Sequence, residues 1–158
     1  MRKNPLVYGM TAAEVEQDPL LGSKRLALIN NAAKRLVETQ MVKFDQDLGA
    51  FTPTDLGRIA AKYYIRNDSI EIFNKLFRPR MSEADVLALI AASVEFGQIQ
   101  VRENEVEELK KLMETSCPCQ VKGGTDSSSG KVNVLLQSYI SKAYIEDFAL
   151  VSDTGYVS

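Results

Sequence analysis

The stretch "FTPTDLGRIAAKYYI", residues 51–65, decides the fold class because two structural patterns meet in it. Its first residues end a short extended segment, and Thr54 then stands where a helix N-cap residue is expected. Leu56 and Ile59 lie on one face of the helix that would follow, at the spacing of an amphipathic helix. Gly57 falls in the first turn of that helix, although glycine lowers helix stability relative to alanine. The stretch therefore predicts a helix and leaves the role of its glycine to be explained.

The residues before this stretch predict a helix followed by a β-hairpin. The helix runs from Ser23 to about Gln40, and its apolar side chains recur at close to helical spacing. These side chains are Leu26, Ile29, Ala33, Leu36 and Val37. Residues 41–44 and 50–52 predict two short strands on either side of the turn "DQDLG". A helix, a hairpin and a further helix in this order are typical of the later half of a winged-helix fold.

The residues after it predict a succession of helices. Segment 117–131, "CPCQVKGGTDSSSGK", is rich in glycine and serine and predicts a mobile loop between two of them. The helix over 131–143 has the broadest apolar side in the chain, which other helices must cover. The side chains that we expect to be buried there are Val132, Leu135, Leu136, Tyr139, Ile140 and Ala143.

These patterns predict a mainly α chain: a winged-helix-like segment with one β-hairpin, followed by an incomplete helical bundle. We assign residues 1–53 to the C-terminal part of a winged-helix domain. Residues 54–158 then form the N-terminal part of the helical-bundle domain. The length of 158 residues suits one domain or two small ones.

Composition argues against most catalytic chemistry. The chain has no histidine, and its cysteines, Cys117 and Cys119, cannot by themselves complete a tetrahedral zinc site. Val132 stands where a phosphate-binding loop needs serine or threonine after Lys131. The acidic run Glu103, Glu105, Glu107 and Glu108 is interpreted as a helix start, where the helix dipole favours negative charge, and not as a metal or acid–base site. We therefore expect no catalytic, cofactor-binding or metal-binding residue in this chain, and an intracellular protein without a membrane span.

Four basic residues are the candidates for contact with nucleic acid. Lys24, Arg25, Lys34 and Arg35 belong to the helix before the hairpin. A basic helix beside a hairpin can bind phosphates or a groove, although a solvated outer helix face is the more common reason for such a pattern. The net charge of −2 indicates no overall cationic field.

Several motifs, taken together and in order, resemble one family. "FTPTDLGRIAAKYYI" resembles the junction between the winged helix and the translocon-subunit-like helical unit of the Ski-two-like superfamily of nucleic-acid helicases. "NPLVYG", "DPLL", "IEIFNKLF", "EFGQIQVRENEVEEL" and "KVNVLLQSYIS" resemble the class with two helicase cassettes. "CPCQVKGG" favours the cointegrator-type members of that class over the spliceosomal type.

The resemblance implies an accessory region of an ATP-dependent RNA or DNA helicase. In that family Leu56, Gly57, Ile59, Tyr63 and Tyr64 would lie at the joint between winged helix and bundle, with Gly57 allowing close approach of a neighbouring segment. ATP and Mg²⁺ would bind in RecA-like motor domains of the same polypeptide, outside this chain. RNA or DNA and further proteins of a larger complex would be the partners, in the nucleus or the cytoplasm. A freestanding winged-helix nucleic-acid binder and a helical protein-interaction adaptor remain the alternatives.

Overall fold

The computed structural model describes residues 4–158, and its architecture is mainly helical with one two-stranded hairpin. This confirms the predicted fold class. The α-helices are α1 (Ala12–Gln17), α2 (Gly22–Glu38), α3 (Asp55–Tyr63), α4 (Asn67–Leu76), α5 (Glu83–Ala91), α6 (Val106–Ser116), α7 (Ser128–Ile140) and α8 (Phe148–Val157). Short 3₁₀ turns cover Pro5–Tyr8, Val94–Phe96 and Glu103–Glu105. Within residues 4–158, none of the helices combines the length and the apolar character that a bilayer crossing requires.

The chain divides into two compact units, Met1–Ile59 and Ala60–Ser158. In the first unit α1 begins with a capping box, in which the side chains of Thr11 and Glu14 each accept a backbone N–H of the other residue. The hairpin pairs β1 (Val42–Asp45) with β2 (Ala50–Pro53), so that Phe44 and Phe51 face each other with ring centroids 4.8 Å apart. The helix–hairpin–helix order predicted from the sequence is therefore present.

The first unit buries little apolar surface. Among its described residues the buried apolar side chains are Met10, Leu21 and Met41. The structure describes the whole of α2, and none of its residues is buried. Leu26 and Ile29, which belong to the apolar stripe predicted for this helix, are 59% and 61% exposed. The amphipathic pattern of α2 is thus real, but its apolar side faces solvent.

The second unit is built around α7. Helices α5, α6 and α8 all pack against α7, and the apolar core lies between them. The buried side chains of this core are Ala91, Ile99, Leu109, Leu112, Val132, Val134, Leu135, Leu150 and Val157. Since helices cover α7 on several sides, its first turns are buried almost all round.

The predicted buried side of α7 is partly wrong. Val132 and Leu135 are buried as expected, but Tyr139 and Ile140, in the last turn of α7, are exposed. Polar residues take their place in the interior, where most of their groups find partners: Lys131, Asn133, Gln137 and Ser138. Apolar periodicity alone could not show which turns of α7 its neighbours would cover.

The predicted boundary between loop and helix at residue 131 is also wrong. α7 begins at Ser128, and the hydroxyl of Ser127 accepts the N–H of Gly130 at 3.0 Å as its N-cap. Gly130 is buried in the first turn, where an added Cβ would lie 1.8 Å from the carbonyl oxygen of Gly124. This glycine therefore allows close packing of the preceding loop and does not break the helix.

Candidate functional site

The glycine of the opening stretch has a steric role within the first unit. An added Cβ at Gly57 would lie 2.0 Å from the carbonyl oxygen of Met41, just before β1. Thr54 fixes this contact: its hydroxyl accepts the N–H of Gly57 at 3.0 Å, and its own N–H donates to the Met41 carbonyl at 3.0 Å. The first turn of α3 is thereby pinned to the start of the hairpin.

The other residues predicted for the joint are more exposed. Leu56 is half-buried and lines a cleft of about 730 Å³ with residues of α2 and β1. Ile59 and Tyr63 are exposed, and Tyr64 is 90% exposed. Tyr64 has a φ of 57°, and the next N–H, that of Ile65, donates back to Ala60 at 2.9 Å, which ends α3 in a left-handed C-cap. A packing role for the two tyrosines stays a prediction, and their surroundings within this chain do not provide it.

The four basic candidates lie along α2 and do not form one compact cluster. From the geometry of an α-helix, Lys24 and Arg35 are within about 20° of each other around the axis and about 16 Å apart along it. Arg25 and Lys34 point about 100° and 80° to either side of that line. Lys34 is also paired with Glu38 at 3.8 Å, with both side chains largely exposed. A rod-like ligand such as a nucleic-acid backbone would therefore meet Lys24 and Arg35 first.

A buried ionic network, which the sequence did not predict, occupies the centre of the second unit. Lys131 and Glu105 are both 0% exposed, and Lys131 Nζ lies 2.5 Å from Glu105 Oε2 and 2.7 Å from Asp153 Oδ2. The ammonium also donates to the carbonyl oxygen of Gln100 at 3.0 Å. Arg102 completes the network with ion pairs to Glu105 and Asp153. Two cations and two anions thus balance each other where α6, α7 and α8 meet.

The network stabilises the charged forms of Asp153 and Arg102. Burial alone would raise the pKa of the Asp153 carboxyl, but hydrogen bonds and charges from Lys131 and Arg102 hold that pKa below its usual value. The hydrogen bond to Glu105, followed by that to Asp153, raises the pKa of the Arg102 guanidinium. A buried ammonium with three oxygen partners is satisfied, so its desolvation is compensated.

The sequence did not predict this network because Glu105 and Lys131 both lie in segments whose patterns are typical of exposed residues. Glu105 lies in an acidic run that resembles an ordinary solvated helix start, and Lys131 follows a glycine- and serine-rich segment. The available signal was the position of Lys131, which is four residues before Leu135 on the apolar side of α7. A lysine at such a position has to find buried anionic partners.

The arrangement does not provide a phosphate or metal site. The ammonium of Lys131, which the loop pattern placed nearest to a phosphate-binding lysine, is already engaged by two carboxylates and a carbonyl. Within residues 4–158, no group of three or more His, Cys, Asp or Glu side chains has the geometry to hold a metal ion. The side chains of the network are thus engaged with one another, and the network holds helices in place.

Comparison with known proteins agrees with the resemblance inferred from the motifs. Over its full length the chain is 42% identical to activating signal cointegrator 1 complex subunit 3 of Homo sapiens. It is 47% identical to the RQC trigger complex helicase SLH1 of Saccharomyces cerevisiae and 42% identical to the U5 small nuclear ribonucleoprotein 200 kDa helicase of Homo sapiens. These relatives confirm the resemblance to Ski-two-like helicases.

The chain corresponds to a small part of these relatives, covering 7 to 8% of their length. The family model of the Sec63 Brl domain matches residues 53–158, which include the opening stretch from Pro53 onward and the whole of the second unit. The match covers α3 to α8, and with them Gly57 and the ionic network. This chain belongs to the Sec63 Brl domain family.

Proposed function

We propose that this chain is an accessory region of an ATP-dependent RNA helicase of the Ski-two-like class. It braces the RecA-like motor domains of the same polypeptide and helps to frame the nucleic-acid channel. ATP and Mg²⁺ are used by those motor domains, and the polypeptide acts inside the cell, in the nucleus or the cytoplasm. Two of the relatives are named as helicases, SLH1 of the RQC trigger complex and the 200 kDa helicase of the U5 small nuclear ribonucleoprotein, and this supports the assignment.

The observation that carries the proposal is the exposed apolar stripe of α2. Leu26 and Ile29 are more than half exposed, and Val37 is 39% exposed. Burying such side chains contributes roughly 1.5–3 kcal/mol each, so a helix that leaves much of this apolar surface in water is poorly stabilised by its own unit. Exposed apolar patches of this kind mark surfaces that bind other protein. In the proposal, other parts of the helicase polypeptide cover this stripe.

Lys24 and Arg35, the basic line on one side of α2, fit the same proposal. Lys24 and Arg35 lie on the side of the helix opposite to Leu26 and Ile29, by the angular spacing of an α-helix. The stripe can therefore pack against protein while the basic line faces the nucleic acid. In this way a single helix would connect the brace to the channel.

The stripe is tested in the full-length helicase that contains this chain. We expect a Leu26→Glu/Ile29→Glu variant to lose RNA-stimulated ATP hydrolysis and duplex unwinding, because charges on the stripe prevent its burial against the motor. The matched control is Leu20→Glu/Leu48→Glu, which changes two exposed leucines outside α2. Equal activity of the two variants would contradict the brace. The same substitutions in the 158-residue chain should leave its thermal unfolding unchanged, which separates the effect from misfolding.

The basic line is tested by binding of single-stranded RNA to the full-length helicase. Replacing Lys24 and Arg35 with alanine should weaken binding and reduce the salt slope by about 0.7 for each phosphate contact that is lost. Lys34→Ala is the control, since Lys34 points about 80° away from the side of α2 that Lys24 and Arg35 share. If the double variant and the control have the same salt slope, α2 does not contact the RNA.

A further inference from the structure

The turn between α4 and α5 is an exposed patch that combines apolar and basic side chains. Phe77 is 65% exposed, and Arg78 and Arg80 are exposed beside it. Arg80 has a φ of 63°, so the backbone of the turn adopts a left-handed conformation that non-glycine residues rarely take. The turn borders a cleft of about 360 Å³ that is lined by Leu76, Arg78, Pro79, Arg80, Met81 and Asp85.

The positive charge of this cleft is not neutralised by its own acid. Asp85 already pairs with Lys122 and accepts the hydroxyl of Ser82 at 2.6 Å, and these contacts hold the pKa of its carboxyl well below the usual value. In the part of the chain that the structure describes, neither Arg78 nor Arg80 forms an ion pair. Two guanidinium groups therefore remain available to an external anion.

An apolar groove continues from this cleft, and Met81 lines both. The groove has a volume of about 390 Å³, and its lining is Met81, Glu83, Val86, Leu87, Pro118, Cys119, Gln137 and Ile140. One wall is fixed by Gln137, whose side-chain amide accepts the N–H of Cys119 at 2.8 Å and donates to the carbonyl of the same residue at 3.1 Å. Ile140, which follows Gln137 by three residues in α7, also lines the groove and is 65% exposed.

We propose that this cleft and groove form a binding site for a segment of a partner protein with a large apolar side chain next to aspartate or glutamate. The apolar side chain occupies the groove, whose volume lies in the range of small-ligand pockets. The neighbouring acid pairs with Arg78 and Arg80, and guanidinium–carboxylate pairs are the stronger kind of charge-assisted hydrogen bond. This inference rests on the proposed function in one respect: the helicase works together with other proteins.

Protein is favoured over RNA by the negative charge of the groove. Glu83 lines the groove, and its carboxylate repels a phosphate backbone that follows the surface from the cleft into the groove. In a peptide only the acidic side chain is repelled by this carboxylate, and that side chain lies in the cleft beside Arg78 and Arg80. The backbone N–H groups of the peptide can instead donate to Glu83.

The test is a selection from a random peptide display library on the 158-residue chain. The library is first depleted on an Arg78→Glu/Arg80→Glu/Ile140→Glu variant, so that peptides for other exposed surfaces are removed. All three side chains are exposed, so the variant should fold, which thermal unfolding verifies. We expect enriched peptides to carry an apolar residue beside an acid, and to bind about tenfold more weakly to Ile140→Glu alone and to Arg78→Glu/Arg80→Glu.

The control variant is Tyr144→Glu, which introduces the same charge at an exposed site outside the lining and should leave peptide binding unchanged. The proposal is overturned if no peptide survives depletion, or if the surviving peptides are basic. It is equally overturned if single-stranded RNA binds the chain and loses affinity on Arg78→Glu/Arg80→Glu. None of these outcomes changes the activities measured for the stripe of α2, so the two proposals fail independently.

Discussion

The helices α2 and α7 both have a clear apolar pattern in the sequence, but in the structure one is exposed and the other is largely buried. α2 is amphipathic, yet none of its residues is buried, whereas the first turns of α7 are buried almost all round and this helix contains four buried polar side chains. The first unit has a sparse core with a hairpin, and the second has a contiguous core with an ionic network at its centre. The comparison teaches that the second unit is stabilised by its own residues, while the first leaves apolar surface exposed to solvent.

The largest expected effect comes from breaking the ionic network. Lys131→Met leaves the buried Glu105 and the partly buried Asp153 with Arg102 as their remaining cation, which should lower the free energy of unfolding of the second unit by about 3–5 kcal/mol. Chemical denaturation followed by circular dichroism measures this loss. The matched control is Lys110→Met in α6, because Lys110 is exposed, and it should stay within about 0.5 kcal/mol of the parent.

A double change sharpens the meaning of that result. Lys131→Met combined with Glu105→Leu removes a charge of each sign, and should recover a large part of the lost stability, since apolar replacement of a buried ion pair is often neutral or stabilising. If the double variant is as unstable as the sum of the single variants, the two residues are not coupled. The network would then be a set of separate contacts.

The next largest effect is expected at Gly57 and Gly130, the two glycines that lie against a backbone carbonyl oxygen, one in each unit. Gly57→Ala and Gly130→Ala each place a Cβ within 2.0 Å of a backbone carbonyl oxygen, so the backbone must shift at a cost of about 1–3 kcal/mol. Gly155→Ala in α8 is the control: its Cβ meets nothing within 4 Å, and the change should stabilise the helix by about 0.5–1 kcal/mol.

Amide hydrogen exchange resolves where each glycine substitution acts. For Gly130→Ala we expect faster exchange throughout the second unit, because α7 lies at its centre. For Gly57→Ala we expect faster exchange near the hairpin and the start of α3, because the first unit has little core to transmit the strain. A uniform change for both variants would contradict the difference between the units.

The sequence predicted the helices and the hairpin better than it predicted which side chains are buried. Local signals set the helix bounds and the hairpin: the capping boxes at Thr11 and Ser82 and the threonine cap before Gly57 depend on neighbouring residues. The burial of Lys131 depends on Asp153, which is distant in sequence, and the exposure of Ile140 depends on which turns of α7 its neighbours cover. Single-sequence periodicity contains neither kind of information.

A smaller effect is expected from pH. Because the pKa of Asp153 is lowered from its unfolded value of 3.8, its ion pairs stabilise the second unit fully above that value. The contribution is lost as the pH falls through the lower folded-state pKa. The stability difference between the parent chain and Asp153→Asn should therefore be constant near neutral pH and narrow below about pH 4.

The difference in the free energy of unfolding between the parent chain and Asp153→Asn cancels the contributions of the other acidic residues to the pH dependence. Glu14, Asp18, Asp85 and Glu95 also have lowered pKa values, and they are present in both proteins. If the stability difference stays constant down to strongly acidic pH, the stabilising contribution of Asp153 does not depend on the charge of its carboxylate.

The smallest effect is expected on the exposed side of the comparison. Ile29→Gln in α2 should change the free energy of unfolding of the 158-residue chain by less than about 0.5 kcal/mol, since the isoleucine is mostly in water before and after unfolding. Leu135→Ala in α7 removes a fully buried side chain and should cost about 2–5 kcal/mol. Urea unfolding of both variants measures the contrast. A large loss for Ile29→Gln would mean that the stripe is already buried in this chain, and the need for a further partner to cover α2 would disappear.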